Sequence, residues 1–308
     1  MKDFGVRNDL HLGYWQALIF HFSLFTLLFF GCASTEVYVV RRDAIKQLNQ
    51  ANQYASRGRY DDALQELEKA RLIAVSTDDP ELRLRTSIIQ GDILFSMGKH
   101  EEAFEEWENA SEEGDAFKEW EKATKKGFFS DKPVLASLAA LARIYKIRAR
   151  LLMPADETGD TKAVVEEYKK QINKEMPAFK TFIKKDYEIS RAVAFVTLGL
   201  AEKALGNFKE AEDAVKKALK IHTKKRNNML EDAAYDWFLI ASIRSVDGKY
   251  DKALEALRKS IDFDRYAENS LGIASSWEYM GNVYEKMGQT EKAQEARQRA
   301  ADIYQAMR

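Results

Sequence analysis

Thiols, imidazoles and paired carboxylates carry much of protein chemistry, and this chain is poor in the first two. It has one cysteine, Cys32, and four histidines, His11, His21, His100 and His222. A nucleophilic thiol needs a base to activate it. The one histidine near Cys32 in the sequence is His21, which lies inside an apolar run. A single cysteine cannot close a disulfide within the chain. No HExxH, GxSxG or Walker loop occurs, and no Cys/His cluster. Adjacent acids do occur, at Asp61–Asp62 and Glu101–Glu102. Both pairs open segments that read as helices, where negative charge meets the positive end of the dipole. That role outweighs a metal or acid–base one. Residues 101–113 hold seven Glu and no Lys or Arg, which suits a solvated helix face before it suits a basic partner. His100 falls in a turn, where packing is expected. His222 closes a Lys-rich helix and is expected to be exposed. No catalytic residue, cofactor site or metal site is expected, so function must reside on a surface.

The elements that build such a surface are helices. Charged residues make up 31% of the chain and hydrophobic ones 45%, with 15 Gly and 4 Pro among 308 residues. That is a long-helix composition. It lacks the turn residues that a sandwich or barrel needs every 8–12 residues or so. The formal net charge of -1 gives none of the basic excess that marks a nucleic-acid binder.

Five stretches align on a glycine: "ASRGRYDDALQEL" (Gly58), "FSMGKHEEAFEEW" (Gly98), "KALGNFKEAEDAV" (Gly206), "SVDGKYDKALEAL" (Gly248) and "EKMGQTEKAQEAR" (Gly288). The second residue after glycine is Tyr60, His100, Phe208, Tyr250 or Thr290. The fifth is always alanine: Ala63, Ala103, Ala211, Ala253 and Ala293. Four residues further stand Leu67, Trp107, Val215, Leu257 and, in the last copy, Arg297. The glycine predicts a left-handed helix end. The alanine predicts a close helix crossing, and the larger residue lies one turn along the same face.

This pattern resembles the tetratricopeptide repeat, a helix–turn–helix unit. "WEYMGNVY" follows the family's first-helix pattern through Trp277, Gly281 and Tyr284; "FVTLGLAE" keeps Phe195, Leu198 and Gly199; "SIIQGDIL" keeps Gly91. The resemblance implies an all-α, right-handed superhelical solenoid. Gly58 to Gly98 and Gly248 to Gly288 are 40 residues, and Gly206 to Gly248 is 42, against about 34 in the family. This longer form is similar to the repeats of kinesin light chains and bacterial peptide sensors.

Between Gly98 and Gly206 the pattern lapses. Residues 102–114 and 115–127 are identical at seven of 13 positions, as in a local duplication, and Gly114 between them is expected to break the helix. Residues 132–152 read as a helix with Pro133 in its first turn. A partner helix follows and ends at Pro177, giving a degenerate unit with Tyr145 and Ala163 in family-like places. The expected organisation is units 1 and 2 over 43–114, a junction over 115–190, and three clear units over 191–308.

Residues 17–30, "ALIFHFSLFTLLFF", are too short for a membrane span of about 20 residues and suit a signal-peptide core. "LLFFGCAS" resembles the lipobox of bacterial lipoproteins, in the relaxed form found in spirochaetes. The resemblance implies a signal peptide over 1–31, a lipid on Cys32 (palmitate among its acyl chains) and a short tether over 32–42. Two or more acyl chains make such attachment stable. Arg41 and Arg42 are expected near anionic headgroups. Ala33 and Ser34 lack the Asp that resembles an inner-membrane retention signal, which points to the outer membrane. An uncleaved anchor over 13–33, cleavage without lipid, and a core cysteine are the alternatives.

In the family, first helices line the concave face. Carried over, that face includes Asn52, Arg85, Asp92, Phe95, Lys203, Tyr235, Phe238 and Asn282, with Arg143 and Lys146 from the third unit. Aromatic rings mixed with Asn and both charge signs suit a peptide or protein segment. The expected function is a lipid-anchored envelope scaffold facing the periplasm, membrane-bound through its lipid, with a protein partner and no nucleic acid. The second expectation is a ligand-binding accessory of a solute transporter, favoured by a closed superhelix. An enzyme would need a cluster in 115–190, which contains no His or Cys.

Overall fold

The computed structural model describes residues 39–124, 132–153, 161–225, 227 and 229–307. Cys32, the expected signal peptide and most of the tether lie outside the described residues. Helix α1 covers 39–56 and so already includes residues 39–42. It is followed by α2 (Tyr60–Ser76), α3 (Pro80–Ser96), α4 (His100–Thr124), α5 (Lys132–Leu152) and α6 (Lys162–Glu175). A 3-10 turn (Met176–Thr181) leads to α7 (Lys184–Leu205), α8 (Phe208–His222), α9 (Leu230–Val246), α10 (Tyr250–Tyr266), α11 (Ser270–Lys286) and α12 (Thr290–Ala306). Among the described residues there is no strand. Consecutive helices pack in pairs, each pair on the next, as a solenoid.

The repeat signature explains each pair. On α1, Ala44, Leu48 and Ala51 are buried at helical spacing and meet Ala63, Leu67, Ala70 and Ala74 of α2. Each buried leucine contributes roughly 1.5–3 kcal/mol. The turn between them needs Gly58, whose φ is +73°. There Gly58 N donates to Ala55 O and Arg59 N to Tyr54 O, closing the orphan carbonyls of the helix end. All five repeat alanines are 0–2% exposed, as a helix crossing requires. In three of the five copies the residue four positions on meets a glycine of the first helix. A Cβ on Gly91 would fall 2.5 Å from Trp107 Nε1, and one on Gly199 2.5 Å from Val215 Cγ2. Trp107 is buried, and its Nε1 donates to Ile88 O at 3.1 Å, so the indole N–H is satisfied inside the core.

Two expectations for the middle of the chain are corrected. Gly114 does not break a helix: α4 runs unbroken through it for 25 residues. A Cβ there would lie 2.7 Å from Ala139 Cβ and 3.0 Å from Leu135 O, so this glycine lets α5 pack against α4. Ala163 is exposed, unlike the five repeat alanines, and Val165 is the buried residue of that turn. In the third pair the 3-10 turn after α6 supplies the core that a regular second helix would. Phe179 and Phe182 stack at 6.1 Å between ring centres, both buried. Ser137 of α5 donates to Ala178 O at 2.7 Å.

A Cβ on Gly58, in the first turn, would lie 3.5 Å from Leu271 Cδ2 on α11. The first and last units therefore touch at Gly58 and Leu271.

Candidate functional site

The first helix of each pair sets the inner wall. At its centre Arg148 of α5 lies over two rings, 5.8 Å from the centre of Tyr145 and 5.4 Å from that of Tyr235 on α9. Its Nε is buried without a hydrogen-bond partner. Burial opposes its charge, but Tyr235, Asp92 and Tyr145 offset this, and its pKa lies above the ordinary arginine value. Burial raises the Asp92 carboxyl, opposed by Arg148 and reinforced by Asp232 of α9. Residues of α3, α5 and α9 thus share one electrostatic environment inside the turn of the superhelix.

From Tyr235 an aromatic ladder runs along the wall. Tyr235 and Phe238 are stacked with ring centres 6.4 Å apart, and Phe238 lies 5.1 Å from Tyr279 of α11. All three rings are half-buried. Beyond them Lys203 Nζ of α7 donates to Ser242 Oγ at 2.7 Å, and Tyr279 OH donates to the same oxygen at 3.2 Å. Together these groups form a strip of rings with a guanidinium at one end and an amine at the other.

The residues expected on this face divide into three groups. Asp92, Lys203, Tyr235 and Phe238 come together as described. Arg85, Arg143 and Lys146 are engaged in helix packing. Arg85 pairs with Glu81 at 2.8 Å and with Asp186 of α7 at 2.7 Å. Arg143 binds Glu175 of α6 at 2.9 Å and Asp115 of α4 at 3.0 Å. Lys146 pairs with Glu108 of α4. Phe95 packs on His100, with ring centres 4.7 Å apart, and on Trp107 at 6.1 Å. Asn52 and Asn282 are exposed, and Asn282 Oδ1 accepts from Arg297 at 3.2 Å. Arg41, expected at lipid headgroups, pairs instead with Asp79 at 3.2 Å and Glu81 at 2.5 Å.

His222 is the clearest correction. It is 4% exposed, not open to solvent, and its Nδ1 lies 2.7 Å from Oδ2 of Asp236, which is 0% exposed. The neighbouring lysines hid this in the sequence. Asp236, one residue after Tyr235 on α9, was the missed signal: an acid within an otherwise apolar stretch of helix has to find a partner. Arg148 and Tyr279 were missed as well, because only their distance from other helices reveals them. Among the described residues no group of three or more His, Cys, Asp or Glu converges as a metal site, and no helix is long and apolar enough to cross a membrane.

Comparison with known proteins agrees with this architecture. Family models of the tetratricopeptide repeat match residues 231–306 and 192–222. The chain therefore carries tetratricopeptide repeats, and its fold is the helical solenoid such repeats build. Among solved structures it is similar to the apo form of RapI, at 14% identity and a TM-score of 0.53, covering 85% of this chain and 66% of that one. It also matches BtubC (BKLC) from P. vanneervenii, at 16% identity and a TM-score of 0.49, covering 86% and 92%. A thermophilic TPR protein of Thermus thermophilus matches at 18% identity and a TM-score of 0.40, covering 76% and 98%. No curated protein matches the chain in sequence.

Proposed function

We propose that this chain is a non-catalytic scaffold that holds an extended segment of a partner protein along its inner wall. The ladder Tyr235–Phe238–Tyr279 carries this reading. Half-buried rings on a concave face, ending in cations, offer apolar anchors and charge selection to a strand of polypeptide. The repeats support it, since such repeats generally bind proteins. In this reading the scaffold needs no cofactor. It is tethered through a lipid on Cys32, faces the periplasm of a bacterial envelope and sits at the outer membrane. The support for the tether is the sequence "LLFFGCAS" after an apolar run of signal-peptide length.

Paired Tyr235→Ala and Phe238→Ala substitutions test the groove. They should abolish partner recovery from native membranes and leave helicity unchanged, because neither ring is fully buried. Unchanged recovery would contradict the assignment.

One observation favours a second reading, in which the chain is a ligand-binding accessory of a solute transporter. Gly58 of the first unit approaches Leu271 of the last, and a superhelix closed in this way around the polar Asp92–Arg148 cluster would suit a small solute. In that case the paired variant would lose a small ligand and keep its protein contacts.

A further inference from the structure

The cations near the inner wall are not treated alike. Arg85 is answered by Glu81 and Asp186, Arg143 by Glu175 and Asp115, Arg244 by Glu212, and Lys224 by Glu188. Lys203 and Lys286 differ: neither forms an ion pair with a carboxylate among the described residues. Their amines meet only hydroxyls. Lys203 Nζ donates to Ser242 Oγ at 2.7 Å, Lys286 Nζ donates to Ser245 Oγ at 3.5 Å, and Tyr279 OH donates to Ser242 Oγ at 3.2 Å. Ser242 and Ser245 are 6% and 3% exposed. They stand three residues apart on α9, so their Cβ atoms are about 5–6 Å apart. Three successive inner helices, α7, α9 and α11, thus converge on one patch of donors.

This arrangement is unfavourable without a counter-charge. Lys203 is half-buried, and a buried cation loses hydration that only a partner restores. Burial lowers its pKa. The Tyr279 hydroxyl pulls the other way, and the Lys286 charge adds to the lowering. The inner face therefore holds two mutually repelling amines, one half-buried and one exposed, with no acid paired to either among the described residues.

The geometry points to a binding site for a phosphate group between Lys203 and Lys286, with the Ser242 hydroxyl, held by Tyr279, as a further donor. A phosphate monoester carries about -1.5 to -2 charges near neutral pH and three acceptor oxygens. It matches two amines in charge and supplies an oxygen for each amine and a hydroxyl. A carboxylate would balance one amine. Lysine serves such a group as a point charge. The site shares Lys203 with the groove proposed above and deepens that reading by naming a group the held segment carries. The phosphate can reach it as a monoester on that segment or as the free ion.

Calorimetry and thermal unfolding on the full-length chain test this, with inorganic phosphate, a phosphoserine peptide and the same peptide carrying serine. Phosphate should raise the unfolding temperature where chloride at equal ionic strength does not. Its affinity should fall at least tenfold in Lys203→Met and in Lys286→Met and persist in Lys203→Arg. Without phosphate, Lys203→Met should unfold at a higher temperature than the wild type, since an uncompensated half-buried charge is gone. Phosphoserine peptide binding tightly, with serine peptide silent, identifies a monoester on a partner; equal affinity for free phosphate and the phosphopeptide identifies the free ion. Phosphate acting no differently from chloride, or acting equally on the wild type and both Met variants, overturns the site. The Tyr235→Ala/Phe238→Ala variant should keep its phosphate response, so failure of the groove and failure of the anion site are separately visible.

Discussion

His222 Nδ1 and Asp236 Oδ2 lie 2.7 Å apart in the core, one at the end of α8 and the other in the second turn of α9. Removing one member of such a pair leaves the other buried and uncompensated. His222→Ala should cost about 3 kcal/mol. Asp236→Asn keeps an acceptor for the imidazole N–H and should cost far less. Denaturant titration of both variants checks this; equal losses would show that the charge pair matters less than packing.

The same pair sets a pH dependence. Burial pushes Asp236 up to about 6 against the pull of His222, and pushes Asp264 up to about 7 against the pull of Asn269. His222 is also raised: burial works against its charge, but Asp236 outweighs it. All three hold protons in the folded chain that the unfolded chain releases, so stability falls as pH rises through about 6 and 7. Glu212 acts oppositely. Its hydrogen bond from Arg244 holds it at about 2, a contribution present above the ordinary glutamate value and lost as pH falls towards 2. Stability should therefore peak near pH ~4, where the Glu212 contribution is largely gained and the Asp236 and Asp264 contributions are not yet lost, and decline towards pH ~8, with a shallower decline in Asp236→Asn. Unfolding free energies across this range decide it; a rise from pH 6 to 8 would contradict it.

The first-helix glycines should be intolerant for a steric reason. Gly199→Ala would place a Cβ 2.5 Å from Val215 Cγ2 and 3.2 Å from Ala211 O, an overpacking that costs about 1–3 kcal/mol. Adding Val215→Ala should recover part of that loss, a non-additivity that a double-mutant cycle reads directly. At Gly206, where nothing lies within 4 Å and φ is +85°, alanine should cost only the backbone penalty of about 1–2 kcal/mol. Strict additivity of Gly199→Ala and Val215→Ala would show that the clash is relieved elsewhere.

The lipid anchor makes its own prediction. Cys32→Ala should leave the solenoid folded, since the array begins downstream, and should prevent lipidation and shift the protein from its membrane. Fractionation with acyl-chain labelling checks it. A Cys32→Ala protein processed and retained like the wild type would rule the anchor out.

What could be foreseen from the sequence was local. The Gly–aromatic–Ala spacing reports a helix end and a crossing within about a dozen residues, and both appear at Gly58/Ala63 and at Gly248/Ala253. The remainder depended on distant partners. Gly114 reads as a breaker in isolation and proves to be a close-packing point only beside Ala139. Arg143 and Lys146 look available until Glu175, Asp115 and Glu108 arrive from neighbouring helices. His222 looks solvated among lysines until Asp236 folds against it. The Lys203–Lys286 pair became visible only once the helices placed them together without an acid.

The most direct test of the scaffold reading is site-specific photocrosslinking from position 238 in native membranes, with position 72, on the exposed side of α2, as control. The account predicts one protein crosslinked from position 238, through one continuous segment, absent from position 72 and lost when Tyr235→Ala is added. Equal crosslinking from both positions, or adducts at 238 indifferent to Tyr235→Ala, would contradict it.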